Sequence, residues 1–186
     1  MSLSELKAAL PGYAKDLRLN LDSVLSESGA SGLSAKQIYL VALASAIASR
    51  HVPLTAAVTH EAVNFASPTE LDAARTAAAI MAMNNVYYRF THLVGDSEYQ
   101  TMRAGLRMNA LANPGCEKID FELCSLAVSA INGCGMCMAS HEKTLRKHEV
   151  SAQAIQSAVR IASVVHAVAV TLEQMHADVT QLAAAA

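Results

Sequence analysis

Apolar residues recur every three to four positions along nearly the whole chain, and nowhere do they alternate residue by residue over a strand's length. That period predicts helices throughout and no sheet. The starts and stops are written locally. Ser2-Leu-Ser-Glu5 has the form of a capping box, in which the first side chain and the fourth satisfy each other's backbone N–H groups; it opens a helix ending near Pro11-Gly12. A second helix spans about 13–26, and Glu27 to Gly32 forms a loop. Ser34 caps a helix over about 35–50, and Pro53 opens another over about 53–65. Ser67-Pro-Thr-Glu70 places a cap, a first-turn proline and an N3 glutamate in succession. Its helix ends at about Asn84 or runs on, straight or kinked, through Val86–Leu93. Gly95-Asp96-Ser97 breaks the chain; 97–110 then has a helical pattern, and Asn113-Pro114-Gly115 is a turn. Helices follow at about 118–132, 134–148 and 151–180, before an all-alanine tail, 183–186, expected to fray.

A faint repeat runs through this pattern. Val41-Ala-Leu-Ala-Ser-Ala-Ile47 resembles Ser125-Leu-Ala-Val-Ser-Ala-Ile131, and Thr59-His-Glu61 resembles Ser140-His-Glu142, at offsets of 84 and 81 residues. The reading is a single all-α domain over 1–186 built from two related helical units, about 34–94 and 118–180, with chance similarity in an alanine-rich chain as the alternative. Ser49-Arg-His-Val stands in the first unit where the second has Gly133-Cys-Gly-Met, so only the second carries thiols.

Composition narrows the core. Hydrophobic residues make up 53% of 186 residues, yet aromatics are 4% and Trp is absent. Such a core is made of Ala, Leu, Val, Ile and Met, which suits close helix packing. The eight Met are read as core filler. A formal charge of −2 supplies no basic field for nucleic acid. The N-terminus lacks the apolar stretch of a secretory signal, and the most apolar segment, Ala154–Leu172, contains Gln156, Arg160 and His166. It reads as a buried helix, so no membrane association is expected. In the cytoplasmic setting this implies, a Cys-x-x-Cys is redox-active or metal-binding more often than a permanent staple.

The chemistry concentrates in Cys134-Gly-Met-Cys137-Met-Ala-Ser-His141. Two thiols one turn apart can close a disulfide, and His141, at i+4 from Cys137, lies on the same helix face. Asn132-Gly133 ends the preceding helix, so Cys134 begins the next one, where unpaired N–H groups and the helix dipole favour a thiolate. If the two helices form a hairpin there, Glu122 lies roughly 16 Å before the turn and His141 roughly 12 Å after it. Glu122 then orients the imidazole or relays its proton, and His141 is the general base for Cys137. The base is one turn from Cys137 and two from Cys134, which makes Cys137 the nucleophile.

Other readings compete. Cys-x-x-Cys could be half of a zinc site, but Cys116 and Cys124 lack a second pair's spacing; no metal is expected, and no bound cofactor. Cys116 and Cys124 read as inert small hydrophobes. His51, His60, His92, His148, His166 and His176 show no ligand spacing; His166 reads as a packed core residue or a pocket-lining one.

Glu122 with Cys134-x-x-Cys137-x-x-x-His141, inside FELCSLAVSAINGCGMCMASHEKTLR, closely resembles the alkyl hydroperoxide reductase D (AhpD) family of the carboxymuconolactone decarboxylase-like superfamily. Chain length, the MSLSELKAALPGYAKDLRLNL start and the helical layout extend the resemblance over essentially the whole chain. It implies an AhpD-like all-helical homotrimer that reduces organic hydroperoxides and the disulfide of an AhpC-type peroxiredoxin. Its own disulfide, Cys134–Cys137, would be reduced by dihydrolipoamide, a lipoyl group on a dihydrolipoamide acyltransferase, recharged by dihydrolipoamide dehydrogenase and NADH. By position, Cys137 matches the peroxide-attacking thiol that becomes a sulfenic acid, Cys134 the proton donor and resolving thiol, and Glu122 and His141 the relay. Met136 departs from members with His before the second Cys, so the relay here runs through His141 and water. A carboxymuconolactone decarboxylase-type lyase, which has no job for paired thiols, and a redox-sensing interaction protein are the alternative functions.

Overall fold

The computed structural model describes the backbone of residues 1–184 and side chains through Met175. Its elements are α1 (Leu3–Ala9), α2 (Lys15–Val24), α3 (Ala35–Ala48), α4 (Val52–Ala62), α5 (Pro68–Val94), α6 (Ser97–Thr101), α7 (Lys118–Ile131), α8 (Gly135–Lys147) and α9 (Ala152–Ala184). Single 3-10 turns occur at Gly12–Ala14 and Asn109–Leu111, and there is no strand among the described residues.

The capping boxes at Ser2–Glu5, Ser34–Gln37 and Ser67–Glu70 form with both reciprocal bonds present. α3 is apolar around its whole circumference, and Leu40 to Ala46 are all buried. Such a helix has to be surrounded. It packs against α4, α5, α7 and α9, and α7 in turn against α5, α8 and α9. Small residues at the contacts (Ala42, Ala44, Ala77, Ala78, Ala127, Ala158 and Ala162) let the axes approach closely. Ser45 returns its hydroxyl to the Val41 carbonyl at 2.7 Å, so that a polar atom in the core keeps a partner.

An ionic clasp fixes three helix starts together. Lys36 Nζ on α3 lies 2.9 Å from Glu70 Oε1 on α5 and 2.7 Å from Asp120 Oδ2 on α7, and Gln37 donates to Asp120 Oδ1 at 2.8 Å. Glu70 and Gln37 are also the N3 members of their capping boxes, so caps and clasp form one network.

The α3–α4 and α7–α8 connections share one geometry. Arg50 and Gly133 have left-handed φ values of 59° and 68°. The next residue caps the new helix: His51 Nδ1 accepts from Leu54 N at 3.1 Å, and Cys134 Sγ accepts from Cys137 N at 3.3 Å. Arg50 thus corresponds to Gly133, one position away from the alignment read in the sequence.

One open reading is settled and one expectation is overturned. α5 runs unbroken for 27 residues to Gly95, whose φ of 70° ends it; nothing in Val86–Leu93 interrupts its hydrogen bonds. The segment 97–110 is α-helical only over Ser97–Thr101, with the 3-10 turn at its far end. Met102 turns extended and Gly105 takes a φ of 66°; almost every side chain from 96 to 115 lacks burial, so no core contact holds a helix there. α9 is long and apolar enough over Ala152–Met175 to cross a membrane, but half of that segment is buried inside the protein, against α2, α3 and α7. Of the alanine tail, 185 and 186 lie outside the described residues, and the helix reaches Ala184.

Candidate active site

The site is built on the α7–α8 turn. Gly133 N donates to Ala130 O at 3.1 Å and Cys134 N to Ser129 O at 3.0 Å, the paired 5→2 and 6→1 bonds of a Schellman motif. The left-handed φ this requires at position 133 suits glycine. Arg89 Nη1, from α5, donates to the last-turn carbonyl of Asn132 at 2.6 Å. Asn85 on α5 donates to Ser129 Oγ at 2.9 Å and accepts from Asn132 Nδ2 at 3.0 Å. The turn is thereby held to α5 by three side-chain hydrogen bonds.

Cys134 is at once the last residue of that motif and the N-cap of α8, and it forms a disulfide with Cys137 across a Cα–Cα distance of 5.3 Å. In the reduced protein, the free N–H groups of this helix start would face a thiolate and favour it. The two cysteines differ in access: Cys134 is 0% exposed, while Cys137 is 7% exposed and lines a cavity of about 280 Å³. Of the two, Cys137 alone lines this cavity.

One turn further along α8, His141 Nδ1 lies 2.7 Å from Glu122 Oε2 on α7. The hairpin therefore does bring these two residues to the same depth. A carboxylate only accepts, so Nδ1 carries a hydrogen, and in the neutral imidazole Nε2 is then the accepting nitrogen. Nε2 rests 3.3 Å from Met81 Sδ on α5. In the disulfide form Cys137 has no proton to give; His141 and Cys137 share the cavity, through which water can link them.

The remaining cavity wall comes from Met81, Asn84 and Tyr88 on α5, Met108 and Leu111 on the segment before α7, and Met136 and Ser140 on α8. The reading of all methionines as core filler is corrected here. Met81 is buried against His141, and Met108 and Met136 line the cavity. None of the α5 residues was picked out from sequence; the one available signal was the polar pair Asn84-Asn85 in an otherwise apolar helix face. A second cavity of about 470 Å³ adjoins through Tyr88 and Met136 and is lined also by Tyr87, His92, Tyr99 and Met102.

The other candidates lie elsewhere. Cys124 is buried, and burial holds its thiol well above the usual range; burial, with Asp120 and Glu70 adding to it, pushes Cys116 up to about 11. Burial thus favours the protonated thiol at both positions at neutral pH. His166 is exposed and bonds Ser49 Oγ at 3.2 Å, which excludes it from the core and from this cavity. His51 is a helix cap, and His60 faces Glu61 at the surface. Among the described residues, no three His, Cys, Asp or Glu side chains converge as metal ligands would.

An all-helical scaffold that presents a Cys-x-x-Cys disulfide at a helix start, beside a carboxylate-bound imidazole and an apolar cavity, defines a helical dithiol–disulfide protein. Relatives agree. Residues 97–178 match the carboxymuconolactone decarboxylase family. A Frankia alni protein called alkyl hydroperoxide reductase AhpD is 57% identical over 175 residues, covering 94% of this chain and 93% of its own. Proteins of the same name from Streptomyces coelicolor (57% over 173 residues, 93% and 96%) and Brucella abortus (51% over 173 residues, 93% and 97%) match as fully. The chain belongs to the AhpD family.

Proposed function

We propose that this protein is a thiol-dependent alkyl hydroperoxide reductase that cycles between the Cys134–Cys137 disulfide and its dithiol. The observation that carries the reading is the unequal placement of the two cysteines, with Cys137 on the cavity that the Glu122-bound imidazole also lines and Cys134 off it. His141, through Nε2 and water, takes the proton of Cys137, and Glu122 stabilises the imidazolium. The Cys137 thiolate attacks the terminal oxygen of a hydroperoxide. An S–O bond forms, the O–O bond breaks, and the departing alkoxide takes a proton from the imidazolium and leaves as an alcohol. Cys134 then attacks the sulfur of the Cys137 sulfenic acid; the S–S bond forms and water leaves. The apolar cavity wall suits an organic peroxide.

Two electrons and two protons from dihydrolipoamide reset the site by thiol–disulfide exchange through a mixed disulfide at Cys137. The donor is a lipoyl group carried by a dihydrolipoamide acyltransferase and recharged by dihydrolipoamide dehydrogenase with NADH. The reduced pair also serves the disulfide of an AhpC-type peroxiredoxin. No metal or resident cofactor enters the cycle, and the setting is cytoplasmic. Self-association, for which the family resemblance implies a homotrimer, is supported by exposed Val86, Phe90 and Leu93 on α5, a row that copies of the chain could cover.

An NADH-coupled assay with cumene hydroperoxide and lipoylated carrier tests this. Wild type turns over only with the carrier present; Cys137→Ser loses peroxide consumption, and Cys134→Ser stalls after one equivalent. Full turnover by Cys137→Ser with dihydrolipoamide would refute the reading.

A further inference from the structure

We propose that Asn84 is the substrate-binding residue that orients the hydroperoxide, its side-chain amide receiving the terminal O–H of a peroxide held in the cavity beside Cys137. The inference rests on the peroxidase reading above and extends it to a residue outside the Cys–His–Glu set.

Adjacent asparagines on α5 have opposite surroundings. Asn85 is fully engaged, bonded to Ser129 and Asn132. Asn84 is 5% exposed, and its Oδ1 is buried with no hydrogen-bond partner among the described residues. A buried amide oxygen left unpaired costs about 1–3 kcal/mol. An apolar residue of similar size at position 84 would avoid that penalty, so an asparagine there asks for a ligand. Its place indicates which one. Asn84 lies one turn beyond Met81, whose sulfur touches His141, and one turn before Tyr88; all three line the cavity with Cys137 and His141. The wall there is mostly thioether, aliphatic and aromatic, with the Ser140 and Tyr88 side chains and His141 as its other polar members, so the amide is one of a few polar groups in a largely apolar recess, the arrangement that fixes a ligand's orientation.

A hydroperoxide fits both demands. Its alkyl part suits the apolar wall, and its terminal oxygen, the atom the thiolate attacks, carries the one hydrogen that the Asn84 carbonyl can accept; that carbonyl oxygen is closed off from solvent here, so the amide turns toward the cavity as the peroxide enters. Asn84 gains and loses no proton. It holds the terminal oxygen at the Cys137 end while the S–O bond forms and the O–O bond breaks, and the alkoxide takes its proton from His141. The dithiol step involves no such O–H, so Asn84 contributes to one half of the cycle.

The half-reactions separate the roles. Pre-reduced wild type, Asn84→Leu and Asn84→Ser are mixed with cumene hydroperoxide and thiol loss is followed by rapid quench; the oxidised proteins are mixed with dihydrolipoamide and thiol gain is followed. Asn84→Leu oxidises about ten- to thirtyfold more slowly. Asn84→Ser, which keeps an acceptor and leaves room for water, recovers part of the loss, and reduction by dihydrolipoamide stays within twofold in both. Oxidation of Asn84→Leu within twofold of wild type overturns the role, as does an equal fall in both half-reactions, the mark of a purely structural residue. If the leucine variant does not fold, the serine variant decides alone: its oxidation must fall more than its reduction. Failure of wild type itself to react with peroxide overturns the peroxidase reading, and is distinct from either result at position 84.

Discussion

Glu122→Gln isolates the charge beside His141 with little change of shape. The bond at stake is 2.7 Å long, and its partners keep 14% and 17% of their side-chain surface in solvent. A hydrogen bond to a charged group in such a setting contributes about 1.5–3 kcal/mol. At about 1.4 kcal/mol per tenfold in rate, its loss slows the steps that need the imidazolium by about 10- to 150-fold. A second effect has the same sign. The carboxylate keeps the hydrogen on Nδ1 and Nε2 free to accept; a glutamine amide can donate to Nδ1 instead and drive the hydrogen onto Nε2, where no thiol proton can then be received. The assay is the initial rate of hydroperoxide consumption at saturating dihydrolipoamide for Glu122→Gln, His141→Ala and the double variant. If Glu122 acts through His141, the double variant is no slower than His141→Ala alone. A Glu122→Gln rate within threefold of wild type, or losses that multiply in the double variant, would refute the relay.

Asn85→Leu removes both bonds that tie the α7–α8 turn to α5 through this side chain and strands the Ser129 hydroxyl and Asn132 amide; stability falls by about 2–4 kcal/mol, read by urea denaturation of the oxidised protein. Hydrogen bonding to Lys36, then to Ser67, holds Glu70 down to about 2, against an ordinary 4.5. The folded value lies below the unfolded one, so this contribution is complete above about pH 4.5 and fades as pH falls toward 2. Thermal melts of wild type and Lys36→Met should differ most at pH 6 and converge by pH 2; a pH-independent gap contradicts this. With Cys134–Cys137 oxidised, iodoacetamide at pH 8 leaves Cys116 and Cys124 largely unlabelled, because burial keeps both thiols protonated. Mass spectrometry after prior reduction should place the first label on Cys137, and fast labelling of Cys116 instead would count against the assignment.

What the sequence disclosed follows the range of the forces involved. Caps are local, and all three serine capping boxes stand where four consecutive residues announce them. Residues 97–110 show the opposite case. Their apolar spacing suits a helix, but helix formation also needs a surface to bury that spacing, and no element covers the segment beyond Thr101. The same distinction divides the site. Cys134, Cys137 and His141 share one helix, so register alone relates them. Rise per residue put Glu122 at the matching depth, and the Schellman turn at Gly133 decides that the two side chains face each other. Met81, Asn84 and Tyr88 belong to a helix joined to the dithiol only through tertiary packing; Met81 meets His141 across 60 residues of chain. No periodicity encodes that meeting. The trace it leaves is a conflict, an amide at position 84 where helix packing calls for an apolar side chain, and such conflicts mark where a chain gives up packing energy for something it binds.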